Sequence, residues 1–290
     1  MSGTEPERDL LVAGHVNVDR FLAVVKFPRA DRTVPVRAER TELGGTATNL
    51  VLVARRLGLR AGLLASVGDG FPEEFRRRLR RERIDLRGLK VRRGLPTPTC
   101  TIVEESAGTS RTLIQQGPMA DRRHDALPGG WWREYRWLHL STGDPAYYLR
   151  LAAAARAVGL RVALDPAQEI FYRWDRDRFR TALASAEVLF GNRAEIEQAV
   201  GWSGGRLATL LARVPLIVRT EGPRGASAFS RRGTVHAPGL RSEPRRTLVG
   251  AGDAFRAGFY AAWFHGLPTT GCLEAGNRAA ARWIGGAFRE

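Results

Sequence analysis

Cysteine is scarce: the 290 residues hold two, Cys100 and Cys272, far apart and outside any metal-ligand spacing. Neither a disulfide framework nor a zinc site is indicated by so few thiols. Long apolar runs are missing too, and no stretch approaches the ~18 apolar residues of a membrane span. The start, "MSGTEPERD", lacks a basic segment followed by an apolar one, so the chain reads as cytoplasmic with no membrane partner. Internal repeats and low-complexity linkers are also absent. Lysine is nearly so: Lys26 and Lys90 stand alone, and arginine carries the rest of a formal charge of +16. Positive charge spread in this way reads as a bias of composition rather than a nucleic-acid patch. The densest run, "FRRRLRRER" at 75–83, places Phe75, Leu79 and Ile84 on one helix side and its arginines on a solvated face. No nucleic acid is expected as a partner, and the competing reading predicts salt-sensitive retention on DNA or RNA.

What is present suffices for a large core, with 43% hydrophobic residues. Apolar strands alternate with amphipathic helices: "LLVAGHVNVD", then "TATNLVLVARRLG" and "LRAGLLASVGDG". "RWLHLSTGD", "AYYLRLAAAARAVG", "LRVALDP", "AEVLFGN", "RAEIEQAVG" and "PLIVRTEG" continue the series. Alternation of this kind means a parallel sheet covered by helices, with ligands at the carboxyl ends of the strands. "GASAFSRRGTVHAP" reads as a hairpin. Residues 16–40, "TPTCTIVEE" and "SRTLIQQ", the last two around a turn at "SAGT", alternate apolar and polar as one-face-covered antiparallel strands do. The expected fold is α/β, a Rossmann-like three-layer core with a parallel-rich sheet and a small antiparallel β lid. The core takes 1–14, 41–90 and 118–290, and the lid 15–40 and 91–117.

The chemistry gathers at strand ends and helix starts. In "TLVGAGDAFRAGFYAAWF", 247–264, Gly250, Ala251 and Gly252 precede an apolar helix, a turn whose free N–H groups and helix dipole suit a phosphate. Asp253 there has two readings, a favourable charge on the helix dipole or a reactive carboxylate. Asn17 and Asp19 of "GHVNVD" alternate along a strand and face the same way. "LGGTATN" brings the bare backbone of Gly44 and Gly45 near Asn49. Carboxylate, amide and backbone together suit a sugar ring, whose hydroxyls need donors and acceptors. In "GNRAE", Asn192 and Glu195 suit either a hydrated magnesium ion with phosphate oxygens or a capping box.

These segments resemble the ribokinase-like (PfkB) carbohydrate and nucleoside kinases over nearly the whole chain. The likeness rests on "GHVNVD", "LGGTATN", "ASVGDG", "LDPAQE", "GNRAE", "RTEGPRG" and above all "VGAGDAFRAGF". "STGDP" before "ALDPAQE" is similar to the archaeal nucleoside and sugar kinases. The resemblance implies an ATP-dependent kinase with Mg2+, ADP being an alternative donor. Gly250, Ala251 and Gly252 then form an anion hole for the transferred phosphoryl group, and Asp253 is the base facing the acceptor hydroxyl. Asp19, helped by Asn17, Gly44, Gly45 and Asn49, grips ring hydroxyls. Asn192 and Glu195 match the magnesium and phosphate motif, Glu195 through water. Thr220, Gly222 and Gly225 border the nucleotide, and Asn277 falls where adenine packs.

The chain departs from the family at Thr247, where an aspartate tied to a monovalent-cation site is usual, so potassium activation is not expected. Arg224 of "TEGPRG" is a candidate replacement charge near phosphates. The acceptor stays open between a nucleoside, a free sugar, and a phosphorylated sugar such as ribose 1-phosphate held by Arg20, Arg32 or Arg37. A catalytically silent sugar- or nucleotide-binding regulator is the non-enzyme alternative. A homodimer through the lid is permitted by its alternating strands.

Overall fold

A computed structural model describes residues 7–106, 109–241 and 248–288. Its first strand, β1 (Arg8–Ala13), is buried on both faces: Leu10 and Val12 enter one apolar cluster, Leu11 and Ala13 another. A strand apolar on both sides must be covered on both sides. After it come β2 (Asn17–Val24), β3 (Ala38–Gly44), α1 (Thr46–Arg56), β4 (Ala61–Asp69), α2 (Glu73–Arg81) and β5 (Asp85–Pro96). The chain continues with β6 (Thr99–Glu105), β7 (Ser110–Gln115), β8 (Tyr135–Leu140), α3 (Pro145–Ala157), β9 (Arg161–Leu164) and α4 (Arg176–Leu183). It ends with β10 (Val188–Asn192), α5 (Arg193–Trp202), α6 (Leu207–Leu211), β11 (Leu216–Thr220), β12 (Ala226–Ser230), β13 (Gly233–Ala237), α7 (Ala251–Phe264) and α8 (Thr269–Ile284).

The large sheet runs β13-β12-β11-β10-β9-β8-β1-β4-β5, parallel from β11 to β5 and antiparallel at the β12–β13 hairpin. Helices α1, α2, α7 and α8 cover one face and α3 to α6 the other, which gives three layers. From β1 the chain fills the sheet first through β4 and β5, then from β8 in the opposite direction. The crevice at such a reversal lies open at the strands' carboxyl ends, where ligands bind.

The second sheet, β3-β2-β6-β7, joins the large one at a carboxyl end, β2 beginning just past the end of β1. Its flanks are antiparallel hairpin pairs, and its two halves meet in a parallel pair, β2 with β6. Both joints differ from the expected division. Residues 41–44, expected in the core, finish β3, where Gly44 pairs with Asn17. Residues 91–96, expected in the lid, finish β5 and reach the Asp69–Pro96 pairing in the large sheet. As the sheet's edge strand, β5 is buried only at Gly88 and Leu89 and exposed over its last residues, so its end carries no core signal that would separate it from a lid strand.

The arginine run forms α2, with Leu79 buried and Arg77 and Arg80 exposed; Arg80 Nη1 meets Glu73 at 3.3 Å. Among the described residues, no helix is long and apolar enough to cross a membrane. Thr247 and two residues of the "SAGT" turn lie outside the described residues.

Candidate active site

Helix α7 starts at a left-handed cap, Gly250, with φ 87°. Only glycine adopts that conformation without strain, and a Cβ there would come within 2.5 Å of the Trp283 ring and 3.0 Å of Asn49 Nδ2. Trp283 Nε1 donates to the Val249 carbonyl at 2.8 Å, which pins the chain just before the turn. The N–H groups of Gly252 and Asp253, in the helix's first turn, have no partner within the helix. The Ala251 N–H differs from the expected phosphate donor: it closes the tight turn on the Leu248 carbonyl at 3.1 Å and must be released to reach an anion.

Asp253 projects from that first turn toward α1. Asn49 Nδ2 donates to its Oδ2 at 3.0 Å across a sequence separation of 204 residues. Burial pushes the Asp253 carboxyl up to about 7; Arg256 and the Asn49 bond oppose the rise, and Asp165 and Asp19 add to it. A carboxyl near neutrality can take a proton from an alcohol and give it up again, as a general base must.

Around Asp253 lie polar residues of β2 and α1. Asn17, Asp19 and Asn49 are all buried polar side chains. Asn17 Oδ1 has no hydrogen-bond partner among the described residues, a costly state that a ligand hydroxyl would relieve. Gly44 has to be bare because a Cβ would overlap the Asp19 carboxylate. Gly45, at φ 96°, has to be bare because a Cβ would meet the His15 carbonyl. Arg20 pairs instead with Glu39 at 2.9 Å, and Arg32 and Arg37 are exposed, so these three do not converge on the site.

On the other side of the glycine turn lies a cavity of about 830 Å³, bordered by Thr220, Gly222, Gly225, Asn277, Ala251 and Gly252. Its walls include Leu240, Leu248, Phe255 and Ile284, an apolar slot of the kind a planar base fills. Asn277 borders it, but its Nδ2 is spent on the Ala237 and Pro238 carbonyls at 3.1 and 3.0 Å. Arg224 is exposed and 3.8 Å from Glu221, which also binds Arg219 at 2.8 Å and Arg193 at 3.2 Å.

Asn192 and Glu195 form the capping box of α5. Asn192 Oδ1 accepts from the Glu195 N–H at 3.0 Å, and the Glu195 oxygens accept from the Asn192 backbone and side-chain nitrogens at 2.7 and 2.8 Å. Glu195 is buried, which pushes its carboxyl up. No group of three or more His, Cys, Asp or Glu among the described residues could hold a metal ion. Asn192 and Glu195 are bound to each other in the box, so what they could offer a metal ion is contact through its water shell.

Two further networks escaped sequence reasoning. Beneath the turn, Arg256 bonds to Asp165, although 91 residues separate them. At the β1–β8 reversal, His15 Nδ1 accepts from the Thr142 hydroxyl at 2.8 Å and Nε2–H donates to Gln116 Oε1 at 2.6 Å. Burial above all holds His15 down at about 4, so its ring is neutral. Gln116 Nε2 then donates to Glu169 at 2.9 Å; burial pushes that carboxyl up to about 7. His15, Asp165, Glu169 and Arg256 all sit in the quoted motifs, which was the available signal. Nothing marks Gln116.

A family model described as "pfkB family carbohydrate kinase" matches residues 7–285. A nucleoside kinase of Methanothermobacter thermautotrophicus is 29% identical over 270 residues, 92% of this chain and 86% of that protein. An ATP-dependent ribose-1-phosphate kinase of Halopiger xanaduensis is 30% identical over 281 residues, 95% and 92% of the two chains. In fold, the crystal structure of Methanocaldococcus jannaschii nucleoside kinase superposes with a TM-score of 0.88 at 24% identity, covering 96% of this chain and 92% of that one.

Proposed function

The chain belongs to the pfkB family of carbohydrate kinases, and we propose that it transfers the γ-phosphoryl group of ATP to the primary hydroxyl of a ribofuranose, with a nucleoside as the preferred acceptor. The observation that carries the transfer chemistry is the Asn49–Asp253 contact beside the Gly250 turn. It places a carboxylate of neutral affinity for protons next to the unpaired N–H groups of a helix start.

ATP occupies the 830 Å³ cavity, with its terminal phosphate at the turn shared by Ala251 and Gly252. Asp19, Asn17 and the bare edges of Gly44 and Gly45 hold the ring hydroxyls, leaving the primary hydroxyl before Asp253. That carboxylate accepts the proton as the oxygen joins phosphorus and the bond to ADP breaks. In a loose transition state most of the acceleration comes from alignment and from donors fixed where charge develops. Asn192 and Glu195 would hold a magnesium ion through water, and its charge would offset that of the phosphates. Folding of the small sheet over the ring excludes water, a rival acceptor.

The nucleoside preference rests on Phe171 and Tyr172, the exposed aromatic side chains among the described large hydrophobics. The Tyr172 N–H donates to the Glu169 carbonyl at 3.2 Å, and Gln116 links Glu169 to His15 beside β2, which favours Tyr172 as the ring on the acceptor side. An exposed aromatic face beside hydrogen-bonding side chains suits a nucleobase. A sugar 1-phosphate is the second reading. It is favoured by the half-buried Arg173, whose Nε makes no hydrogen bond among the described residues and lies 3.9 Å from Glu169, while its Nη2 donates to the Ala120 carbonyl at 2.7 Å. ATP consumption across nucleosides, ribose and ribose 1-phosphate decides: turnover with nucleosides far above ribose supports the first reading, and turnover confined to ribose 1-phosphate supports the second.

A further inference from the structure

Arg256 is the one charged side chain of "GAGDAFRAGF" beyond the base itself, and neither anion hole nor base requires it. It is 5% exposed, on the turn of α7 that follows Asp253. Its Nη1 donates to the Gly252 carbonyl at 2.9 Å, its Nη2 to Asp165 Oδ1 at 2.8 Å, and its Nε to Asp165 Oδ2. A Cβ on Gly252 would meet that Nη1 at 2.9 Å, so the bareness of Gly252 is also what admits the guanidinium. Asp165, just past β9, is itself braced: His139 Nε2 lies 3.3 Å from its Oδ2, and His139 Nδ1 meets the Tyr260 hydroxyl at 2.9 Å. A buried ion pair is weak evidence for stability, because desolvation consumes much of the attraction. The bond to a carbonyl of the anion turn points to another use.

We infer that Arg256 is a positioning residue for phosphoryl transfer: anchored by Asp165, it fixes the Gly252 peptide, and with it the anion turn, and keeps a positive charge behind the Asp253 carboxylate. The inference rests on the kinase reading for its meaning but not for its measurement. Charged and polar groups face Asp253 from four elements: Asn49 from α1, Asp19 from β2, Asp165 from the end of β9, and Arg256 from α7 itself. Arg256 and Asp165 act on the carboxyl with opposite signs. Removing each must therefore move its titration in opposite directions, and a merely structural role would leave kcat unchanged in a folded variant that keeps the charge.

The test follows the Asp253 carboxyl by 13C NMR in the full chain, with ADP affinity as a folding control. Arg256→Gln should raise the midpoint by roughly one unit and Asp165→Asn should lower it. Arg256→Lys keeps the charge but not the fork, so its midpoint should stay near wild type. In each variant that binds ADP normally, kcat should fall roughly 10- to 100-fold, the usual effect of losing a group that orients a catalytic one. Should Arg256→Gln fail to bind ADP, the Lys and Asn variants still separate charge from geometry. Midpoints that stay put, or that all move one way, overturn the inference, as does unchanged kcat in Arg256→Lys. A wild type silent toward every acceptor, with the opposite shifts present, overturns the kinase reading instead.

Discussion

Replacing Asp253 with asparagine should silence the protein and stabilise it. The wild-type carboxyl is raised from 3.8 to about 7 in the fold, chiefly by burial. An acid that holds its proton more tightly when folded favours the fold at low pH. That advantage is lost as pH climbs, because the unfolded chain ionises first while the native state must later bear a poorly solvated charge. About three units at ~1.36 kcal/mol each set a ceiling of roughly 4 kcal/mol. Asp253 is half-buried, so solvent screens part of this, and about 1 to 2 kcal/mol is the expected size. Asparagine keeps an oxygen for Asn49 and has no charge to desolvate. Urea unfolding of both proteins at pH 4, 6 and 8 reads the difference. The variant's advantage should be smallest at pH 4, grow through pH 7 and then level off. An advantage that is flat with pH, or that shrinks as pH rises, would refute the reasoning.

Gly250→Ala should lose most turnover and about 1 to 3 kcal/mol of stability, since φ 87° and the Trp283 ring both oppose a Cβ; thermal melts and kcat check it. Gly44→Ala should raise the acceptor KM with little change in that for ATP, because the new methyl displaces the Asp19 carboxylate and leaves the nucleotide cavity alone. Tyr172→Ala should raise the nucleoside KM roughly 10-fold, the worth of one stacking contact, while leaving ribose unaffected; equal losses for both would remove the base platform. Retention on immobilised DNA should vanish within a few hundred millimolar salt, since Arg76 and Arg80 of α2 are matched by Glu73.

The large sheet was legible because parallel strands buried on both faces read as continuous apolar runs: "LLVA" in β1 and "VLFGN" in β10 have no other economical placement. The joints at 44 and 96 were not, because neither β3 nor the exposed end of β5 carries an apolar run to assign it to one sheet or the other. At the site, Gly250 and Asp253 were legible as a helix start. Asn49 was legible as a polar group near a turn, but its bond to Asp253 was not, because α1 and α7 meet only once the three layers pack. The same limit hid Arg256: within its own segment it is one arginine among many, and Asp165 gives it a role only through the fold. Asn277 borders the cavity as the motif order implies, and its amide donors are held by the Ala237 and Pro238 carbonyls, a bond the sequence does not show.

The most direct measurement compares wild type with Asp253→Asn in acceptor phosphorylation under saturating ATP, Mg2+ and nucleoside, with ATP affinity measured on the same samples. The expected result is unchanged ATP binding with a rate lower by roughly 10²- to 10⁴-fold, the range for losing a general base. Full phosphorylation by the variant would contradict Asp253 as the base at the glycine turn.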